Sequence, residues 1–187
     1  YFQPSSSLNV NYRKDKYLKN KFLLVRQLHY SPHNDNSIDV VLFINGLPIT
    51  TIELKNQLTG QNVHNSDDQY RFNRKPTGEP LLQFQRCLSH FSVDNDKVHM
   101  TTKLNGKNTF FLPFNKGLEN PINDEGYKVS YLWEKILTPT SLLDILENFV
   151  LFTNTSDFSW SNEKKKVIEK KSPVLIFPRY HQLEVIR

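Results

Sequence analysis

The sequence predicts an α/β fold, in which β-strands and α-helices occur along one chain of 187 residues. Two apolar, β-branched runs meet at Asn45-Gly46, and this dipeptide between such runs is the strongest short-range signal of a β-hairpin. Two alternating segments at 87–93 and 97–103 predict a second hairpin. A long helix is predicted to begin at Thr138, where apolar residues start to recur at helical spacing. Strands early in the chain and a helix later therefore indicate an α/β domain.

Composition excludes several classes of protein. The single cysteine, Cys87, rules out an internal disulfide and a zinc cluster of cysteines, and it fits a cytoplasmic location. No apolar run approaches the roughly 18 residues of a transmembrane helix, so we expect no membrane contact. The formal net charge of +5 is compatible with a polyanionic partner. The 6 glycines form no phosphate-binding loop, so this chain by itself is not expected to hydrolyse ATP.

The chain begins with a polar, irregular arm at 1–19, and we expect native sequence to precede Tyr1. The basic residues of this arm fit either a solvated short helix or an arm that lies on nucleic acid. Residues 20–30 predict the first strand, and a polar turn at 31–36 follows it. The first three strands should therefore form an antiparallel meander.

Charged side chains interrupt the apolar hairpin at Asp39, Glu53 and Lys55. Charges inside a strand pair are costly unless they are paired or bound to a metal ion. A three-residue hairpin loop would place Asp39 opposite Glu53, whereas a two-residue loop would place Ile52 there and leave Glu53 diagonal. Either register can bring the two carboxylates close together. Lys55 lies two residues after Glu53 and therefore faces the same side of an extended strand.

Two adjacent carboxylates cannot both remain ionised without a nearby cation. A divalent ion meets this requirement, and hard carboxylate oxygens suit Mg²⁺. Lys55, at the rim, could hold a water molecule or a phosphate oxygen. The three side chains together predict metal-assisted hydrolysis of a phosphodiester bond.

A helix is predicted at 64–73, with Asn65 or Ser66 as its N-cap, and it would lie across the mouth of the sheet. Gln69 on this helix either points back toward the acids or is an ordinary exposed glutamine, and the sequence leaves both open. The basic residues near its end either contact phosphates or form a solvated face. These residues are Arg71, Arg74 and Lys75.

Four further segments are predicted after residue 130. We expect a short helix at 131–137 and a loop at 153–161. Residues 163–171 predict an exposed helix face, with nucleic-acid contact as the alternative. Residues 173–187 predict a short strand followed by a helix that begins at Tyr180. This last helix has no stop signal, so we expect the native chain to continue beyond it.

Asp39 followed by Glu53-Leu54-Lys55 after a hairpin has the spacing of the PD-(D/E)xK nuclease motif. Four stretches occur in order along the chain: SIDVVLFINGLPITTIELKNQLTGQ, QFQRCLSHFSVDNDKVHMTTKLNGKNTFFLPFNKG, GYKVSYLWEKILTPTSLLDIL and LIFPRYHQLEVIR. Together they resemble the N-terminal region of the motor (R) subunit of type I restriction enzymes. The resemblance covers nearly all of residues 20–187.

This resemblance implies a mixed central β-sheet flanked by helices, with a restriction-endonuclease-like PD-(D/E)xK core. It implies Mg²⁺-dependent endonucleolytic cleavage of double-stranded DNA, in which Asp39 and Glu53 bind the metal ion and Lys55 is the catalytic lysine. The carbonyl of Ile52 is a further metal ligand in this interpretation. Gln69 corresponds to the glutamine of a QxxxY element, whose tyrosine is absent or shifted to Tyr70.

Some members of this superfamily also carry an acidic ligand on an upstream helix. Asp15 is a poor match for that ligand, so the ligand is missing here or lies before Tyr1. The resemblance further divides the chain into an arm at 1–19, a nuclease domain at 20–171, and the start of an ATP-dependent, helicase-like motor region at 172–187. Gln182 corresponds to a glutamine that contacts adenine in such motors.

The partners implied by the resemblance are double-stranded DNA and the methylation and specificity subunits of a restriction complex. ATP would bind the rest of the full-length R subunit, which would translocate DNA, and not this fragment. Two alternatives remain open. One is a non-catalytic module for DNA binding or assembly, and the other is an RNA-directed or repair-type nuclease with the same core.

Overall fold

The computed structural model describes residues 15–161 and 165–187. Its central sheet contains β1 (Phe22–His29), β2 (Ser37–Ile44), β3 (Leu47–Leu54), β4 (Ser89–Val93), β5 (Val98–Thr101) and β6 (Leu112–Pro113). The strands lie side by side in the order of the sequence. β3 and β4 are parallel, and all other neighbours are antiparallel. The predicted α/β fold with a mixed central sheet is confirmed, and it is consistent with a PD-(D/E)xK-like core.

The helices are α1 (Val63–Asp68), α2 (Pro139–Asn148) and α3 (Tyr180–Ile186). α1 continues directly into a π-helical turn at Gln69–Asn73, and a second π-helical turn occupies Leu132–Ile136. Short 3₁₀ turns occur at Gln57–Thr59 and Pro80–Leu82. The helices predicted at 64–73 and 131–137 are therefore present, each with a wider turn than an α-helix.

The N-cap of α1 is Asn62, and not Asn65 or Ser66 as the sequence predicted. The Asn62 side chain accepts a hydrogen bond from the backbone N–H of His64 at 2.9 Å. The Asn65 side chain accepts one from the backbone N–H of Asn62 at 2.8 Å. These two reciprocal hydrogen bonds satisfy two backbone donors at the start of the helix. Asn65 therefore belongs to the first turn of the helix and accepts a bond from the residue that caps it.

The parallel pairing of β3 with β4 requires a crossover connection, and α1 lies in that connection. The Ser66 hydroxyl donates to the backbone carbonyl of Glu53 at 3.2 Å. The backbone N–H of Val63 donates to Asp94 Oδ2 at 2.8 Å. These contacts fix α1 beside the C-terminal ends of β3 and β4, where the predicted site lies.

The main core packs the C-terminal helices against the sheet. Phe91 on β4 contacts the rings of Phe114 and Phe177, with ring centroids 5.3 and 6.1 Å apart. Tyr180 and Leu183 of α3 belong to the same buried cluster. The apolar stripe predicted for α2 is buried as expected. The last helix of the chain therefore stabilises the sheet that carries the site.

A second sheet, called the ribbon here, pairs β7 (Leu151–Ser161) with β8 (Lys166–Ile176) in antiparallel orientation. The loop predicted at 153–161 and the helix predicted at 163–171 are wrong over their described residues. Cross-strand pairing explains the difference, because Val167 lies opposite Trp160 and gains contacts that a local charge pattern cannot show.

The predicted domain boundary after residue 171 falls inside β8, and the division of the chain into three parts stays a prediction. Residues 15–18 are helical, in line with the short-helix alternative for that part of the arm, and 1–14 lie outside the described residues. No helix within the described ranges is long and apolar enough to cross a membrane.

Candidate functional site

The hairpin that carries the two acids turns at Asn45 and Gly46, whose φ angles are +53° and +81°. Left-handed values at both central residues are typical of a two-residue hairpin turn. Ile44 pairs directly with Leu47 across this turn. Of the two loop lengths that the sequence allowed, the shorter one is present.

A bulge in β3 nevertheless brings the acids into register. The pairing shifts by one residue within the hairpin, so that Ile49 has no paired residue in β2 and Val40 pairs with Ile52. The next pair in this register is Asp39 and Glu53. Directly opposed residues point to the same face of a sheet, so the two carboxylates are neighbours. The acid pairing expected from a three-residue loop thus arises from a two-residue loop and a bulge.

Asp39 is half-buried and is held by two hydrogen-bond donors. Its Oδ2 atom accepts from the backbone N–H of Leu54 at 2.8 Å, and its Oδ1 atom accepts from the Gln27 side chain at 2.9 Å. Gln27 has φ +48°, a left-handed value that is unusual for a non-glycine residue in a strand, and it also accepts a bond from Ser37 Oγ. No pattern in the sequence indicated the role of Gln27, which lies on β1, the strand next to β2, 12 residues before Asp39.

Glu53 is 0% exposed. Its Oε1 atom accepts a hydrogen bond from Arg74 Nε at 2.7 Å, whereas Oε2 has no partner among the described residues. Burial raises the pKa of Glu53 to about 7, with Arg74 lowering it and nearby Asp39 raising it further. The carboxyl group is therefore divided between its neutral and ionised forms near neutral pH. A further cation at Oε2 would favour the ionised form.

Arg74 lies inside the site and is 7% exposed. Besides Glu53, its guanidinium binds the carbonyl oxygen of Ser37 at 2.8 Å and lies 6.0 Å from the ring centre of Tyr30. It therefore joins the start of β2 to the acid of β3. The sequence analysis assigned Arg74 to DNA contact, and that role stays a prediction. No local pattern connects Arg74 with Glu53, which lies 21 residues earlier.

Lys55 directly follows β3 and is half-buried. Its backbone N–H donates to the carbonyl oxygen of Val93 at 2.8 Å, which extends the pairing with β4. Its ammonium group forms no ion pair with Asp39 or Glu53 and has no hydrogen bond within the described part of the chain. Lys55 lines an open pocket of about 310 Å³ together with Trp133. This ammonium group is available to an anionic ligand.

Gln69 begins the π-helical turn after α1 and is half-buried. Its Oε1 atom is buried and lacks a hydrogen-bond partner in the described structure. Tyr70 is fully buried, and its hydroxyl bonds Thr51 Oγ1 at 2.8 Å, two residues before Glu53. Burial raises the pKa of Tyr70 well above its ordinary value. The turn is thus attached to the face of β3 that carries Glu53, while the roles of Gln69 and Tyr70 stay predictions.

Several oxygen atoms on β2, β3 and the π-helical turn fit a hard divalent cation in type. Glu53 Oε2 and Gln69 Oε1 are both buried without a partner in the described ranges, and each carboxylate oxygen of Asp39 retains a lone pair beyond the bond it accepts. Carboxylate and carbonyl oxygens are the ligands that Mg²⁺ prefers. The backbone of Ile52 directly precedes Glu53. Asp39, Glu53 and Ile52 as metal ligands stay a prediction.

Arg71 and Lys75 border a separate pocket of about 430 Å³ beside the π-helical turn. Arg71 lies 5.3 Å from the ring centre of Phe111, donates to the carbonyl oxygen of Thr109 at 3.3 Å, and pairs with Asp68 at 3.1 Å. Lys75 is exposed. Two cations therefore flank one cleft, and their contact with DNA stays a prediction.

Gln182 lies in α3, away from the acids in sequence. Its Oε1 atom accepts a hydrogen bond from the backbone N–H of Arg179 at 2.8 Å. Both residues line a pocket of about 460 Å³ together with Phe177. The contact of Gln182 with a nucleotide stays a prediction.

Comparison with known proteins adds one finding. A family model described as the type I restriction enzyme R protein N terminus (HSDR_N) matches residues 8–109. This range includes Asp39, Glu53 and Lys55, whereas Gln182 lies outside it. No curated protein matches the chain.

Proposed function

The chain belongs to the family of type I restriction enzyme R protein N-termini, and from this premise we propose that it is the nuclease domain that cuts double-stranded DNA for such an enzyme. The observation that carries the proposal is the buried Glu53 carboxylate, which has one oxygen without a hydrogen-bond partner in the described part of the chain and lies opposite Asp39. A buried acid that lies beside a second acid and keeps one oxygen without a hydrogen bond is typical of a site that receives a cation.

Asp39, Glu53 and the carbonyl of Ile52 would hold Mg²⁺ in this proposal. Held there, such an ion would supply positive charge to the scissile phosphate and would lower the pKa of a water molecule. Lys55 orients the attacking water and stabilises the charge that develops on the phosphate oxygens, because its ammonium group has no anionic partner among the described residues. Gln69 donates from its amide group to the same water or phosphate.

Arg74 has a positioning role in this mechanism. Its bond to Glu53 Oε1 leaves Oε2 as the oxygen that faces the ligand. Its positive charge also lowers the pKa of Glu53 and so opposes the effect of burial. Arg71 and Lys75 would hold the DNA backbone without reading its sequence.

The rest of the full-length subunit would supply ATP-driven translocation, with Gln182 near the start of that region. Methylation and specificity subunits would supply recognition of the target site. We expect the assembly to work in the cytoplasm.

The experiment that tests the proposal uses the full-length R subunit with its partner subunits. Lys55→Ala should lower the rate of DNA cleavage by at least about 100-fold, because one stabilising donor is lost, while ATP hydrolysis is unchanged. Lys135→Ala is the matched control, since Lys135 is an exposed lysine outside the site. If Lys55→Ala cuts DNA at the normal rate, the assignment of this lysine is wrong.

One observation favours a second candidate function. Arg74 already provides Glu53 with a cation at 2.7 Å, as a purely structural ion pair would. A non-catalytic module for DNA binding or assembly would therefore show no Mn²⁺ or Mg²⁺ binding at the acids. Binding of Mn²⁺ that disappears in Asp39→Ala supports the nuclease, and absence of such binding supports the module.

A further inference from the structure

A second cluster of ligand-type side chains lies outside the site described above. It consists of His64 and Asp67 on α1 and His99 on β5. One ligand atom from each of the three side chains lies within 4.8 Å of the others. The proposed nuclease reaction does not use any of them, so the inference below is independent of that reaction.

Local structure places the three side chains together. Asn62 caps α1, so both His64 and Asp67 lie within the helix. They are three residues apart and therefore lie on the same side of it. The hydrogen bond from the backbone N–H of Val63 to the side chain of Asp94 attaches this end of the helix to the turn that leads into β5. His99 on β5 then faces Asp67 from the sheet.

The distances resemble those of a partly assembled metal site. Asp67 Oδ2 lies 2.8 Å from His99 Nδ1 and 3.7 Å from His64 Nδ1. Two atoms bound to one ion at about 2.1 Å are roughly 3 to 4 Å apart. Small rotations of the two rings, whose centroids are 5.3 Å apart, would therefore place all three donors on one ion.

Burial and charge at Asp67 also indicate a ligand. The side chain of Asp67 is 3% exposed, and its Oδ1 atom is buried without a hydrogen-bond partner in the described structure. No lysine or arginine in the described ranges forms an ion pair with it, although a buried carboxylate requires compensation of its charge. The side chain of His64 is 71% exposed, so an ion can reach the cluster from solvent.

The cluster is separate from the proposed nuclease site. Glu53 pairs with Ser92 across β3 and β4, and Ser92 pairs with His99 across β4 and β5. Two strand spacings separate the Cα atoms of His99 and Glu53 by roughly 10 Å. The two ions of a two-metal hydrolase lie only about 3.5–4 Å apart, so we assign this cluster a structural role and not that of a second catalytic ion.

We propose that His64, Asp67 and His99 bind a first-row transition-metal ion, with Zn²⁺ as the best fit and water as its fourth ligand. Two imidazole nitrogens favour such an ion over Mg²⁺ or Ca²⁺, which prefer oxygen ligands alone. The bound ion attaches α1 to β5. It thereby holds the π-helical turn that carries Gln69 against the sheet.

The test is calorimetric titration of the 187-residue chain with ZnCl₂, with Co²⁺ absorption as a second readout. We expect one equivalent of Zn²⁺ to bind at this cluster, in addition to any ion held by the nuclease acids, with visible absorption bands from bound Co²⁺ and a higher thermal midpoint with Zn²⁺. His64→Ala removes an exposed ligand without disturbing the core, and it should weaken Zn²⁺ binding about tenfold or more. Asp67→Asn keeps the side-chain size and should weaken binding as well.

Two controls complete the experiment. His33→Ala removes an exposed histidine elsewhere and should leave Zn²⁺ binding unchanged. The double variant Asp39→Asn/Glu53→Gln removes the charges of the nuclease acids, keeps an oxygen acceptor for Arg74, and should also still bind one Zn²⁺. The proposal is overturned if the wild type does not bind Zn²⁺, or if binding is unchanged in His64→Ala and Asp67→Asn. It is also overturned if the double variant loses Zn²⁺ binding. None of these results decides whether the chain cuts DNA.

Discussion

β3 and the ribbon are both strand regions with charged side chains, but they differ in burial. β3 has a neighbouring strand on each side, and its Glu53 is 0% exposed. Among residues 15–161 and 165–187, the strands of the ribbon pair only with each other, and Phe158 and Trp160 are 69% and 62% exposed. A charge in β3 therefore needs a specific partner, whereas the lysines of the ribbon can be solvated. Strand charges thus indicate a site only where burial gives them an energetic cost.

The largest expected effect tests the cost of the buried charge in β3. Arg74→Ala leaves Glu53 without its cation, and we expect the free energy of unfolding to fall by about 3–5 kcal/mol in urea denaturation. Arg71→Ala is the control, because its pair with Asp68 is partly exposed and should contribute about 1 kcal/mol or less. Adding Glu53→Gln to Arg74→Ala should restore part of the loss. Equal losses in the two arginine variants would contradict the comparison.

The second prediction concerns pH. The folded protein holds the proton of Glu53 more tightly than the unfolded chain, because burial raises its pKa from 4.5 to about 7. The contribution of this group to stability is full below pH 4.5 and falls by about 3 kcal/mol as the pH rises to about 7.

The measurement for this prediction is the difference in unfolding free energy between the wild type and Glu53→Gln across that pH range. His90 has a pKa lowered to about 3 by burial and changes stability in the opposite direction, but it is common to both proteins and cancels. Saturating Mg²⁺ should reduce the pH-dependent difference by favouring ionised Glu53. A difference that does not vary with pH would show that Glu53 is not a buried, proton-binding acid.

A smaller effect distinguishes two buried serines of β4. Ser89 Oγ donates to Thr50 Oγ1 at 2.9 Å, whereas Ser92 Oγ has no hydrogen-bond partner in the described part of the chain. Ser89→Ala should therefore lower the unfolding free energy by about 1 kcal/mol, and Ser92→Ala should be neutral or slightly stabilising. Chemical denaturation of the two variants gives the comparison. The opposite order would mean that Ser92 has a partner that Ser89 lacks.

The smallest effect is expected in the ribbon. Phe158→Ala should change the unfolding free energy by no more than about 0.5 kcal/mol, because most of its ring is already in water. Phe91→Ala, in the core of the sheet, should cost about 3–5 kcal/mol by the same measurement. A large loss in Phe158→Ala would show that the ribbon is packed in solution.

In the hairpin, local sequence predicts the turn but not the register of the two strands. Asn45 and Gly46 specify a turn through their own backbone preferences, so the two acids were placed on adjacent strands before any tertiary contact was known. Their register required more, because the bulge at Ile49 depends on how the whole strand pairs. The predictions for the ribbon were wrong for the same reason, since its strands are defined by pairs such as Val167 and Trp160 that lie on opposite strands.

By itself, the sequence determined the α/β class, the first three strands, the α2 stripe, and the presence of Asp39 and Glu53 in an apolar hairpin. Each of these follows from interactions between residues close in the chain. Only the tertiary structure decided that Arg74 neutralises Glu53, that Gln27 binds Asp39, and that His99 meets α1. Those contacts join residues far apart in sequence, and their energy depends on burial, which the chain acquires only when the sheet and helices assemble.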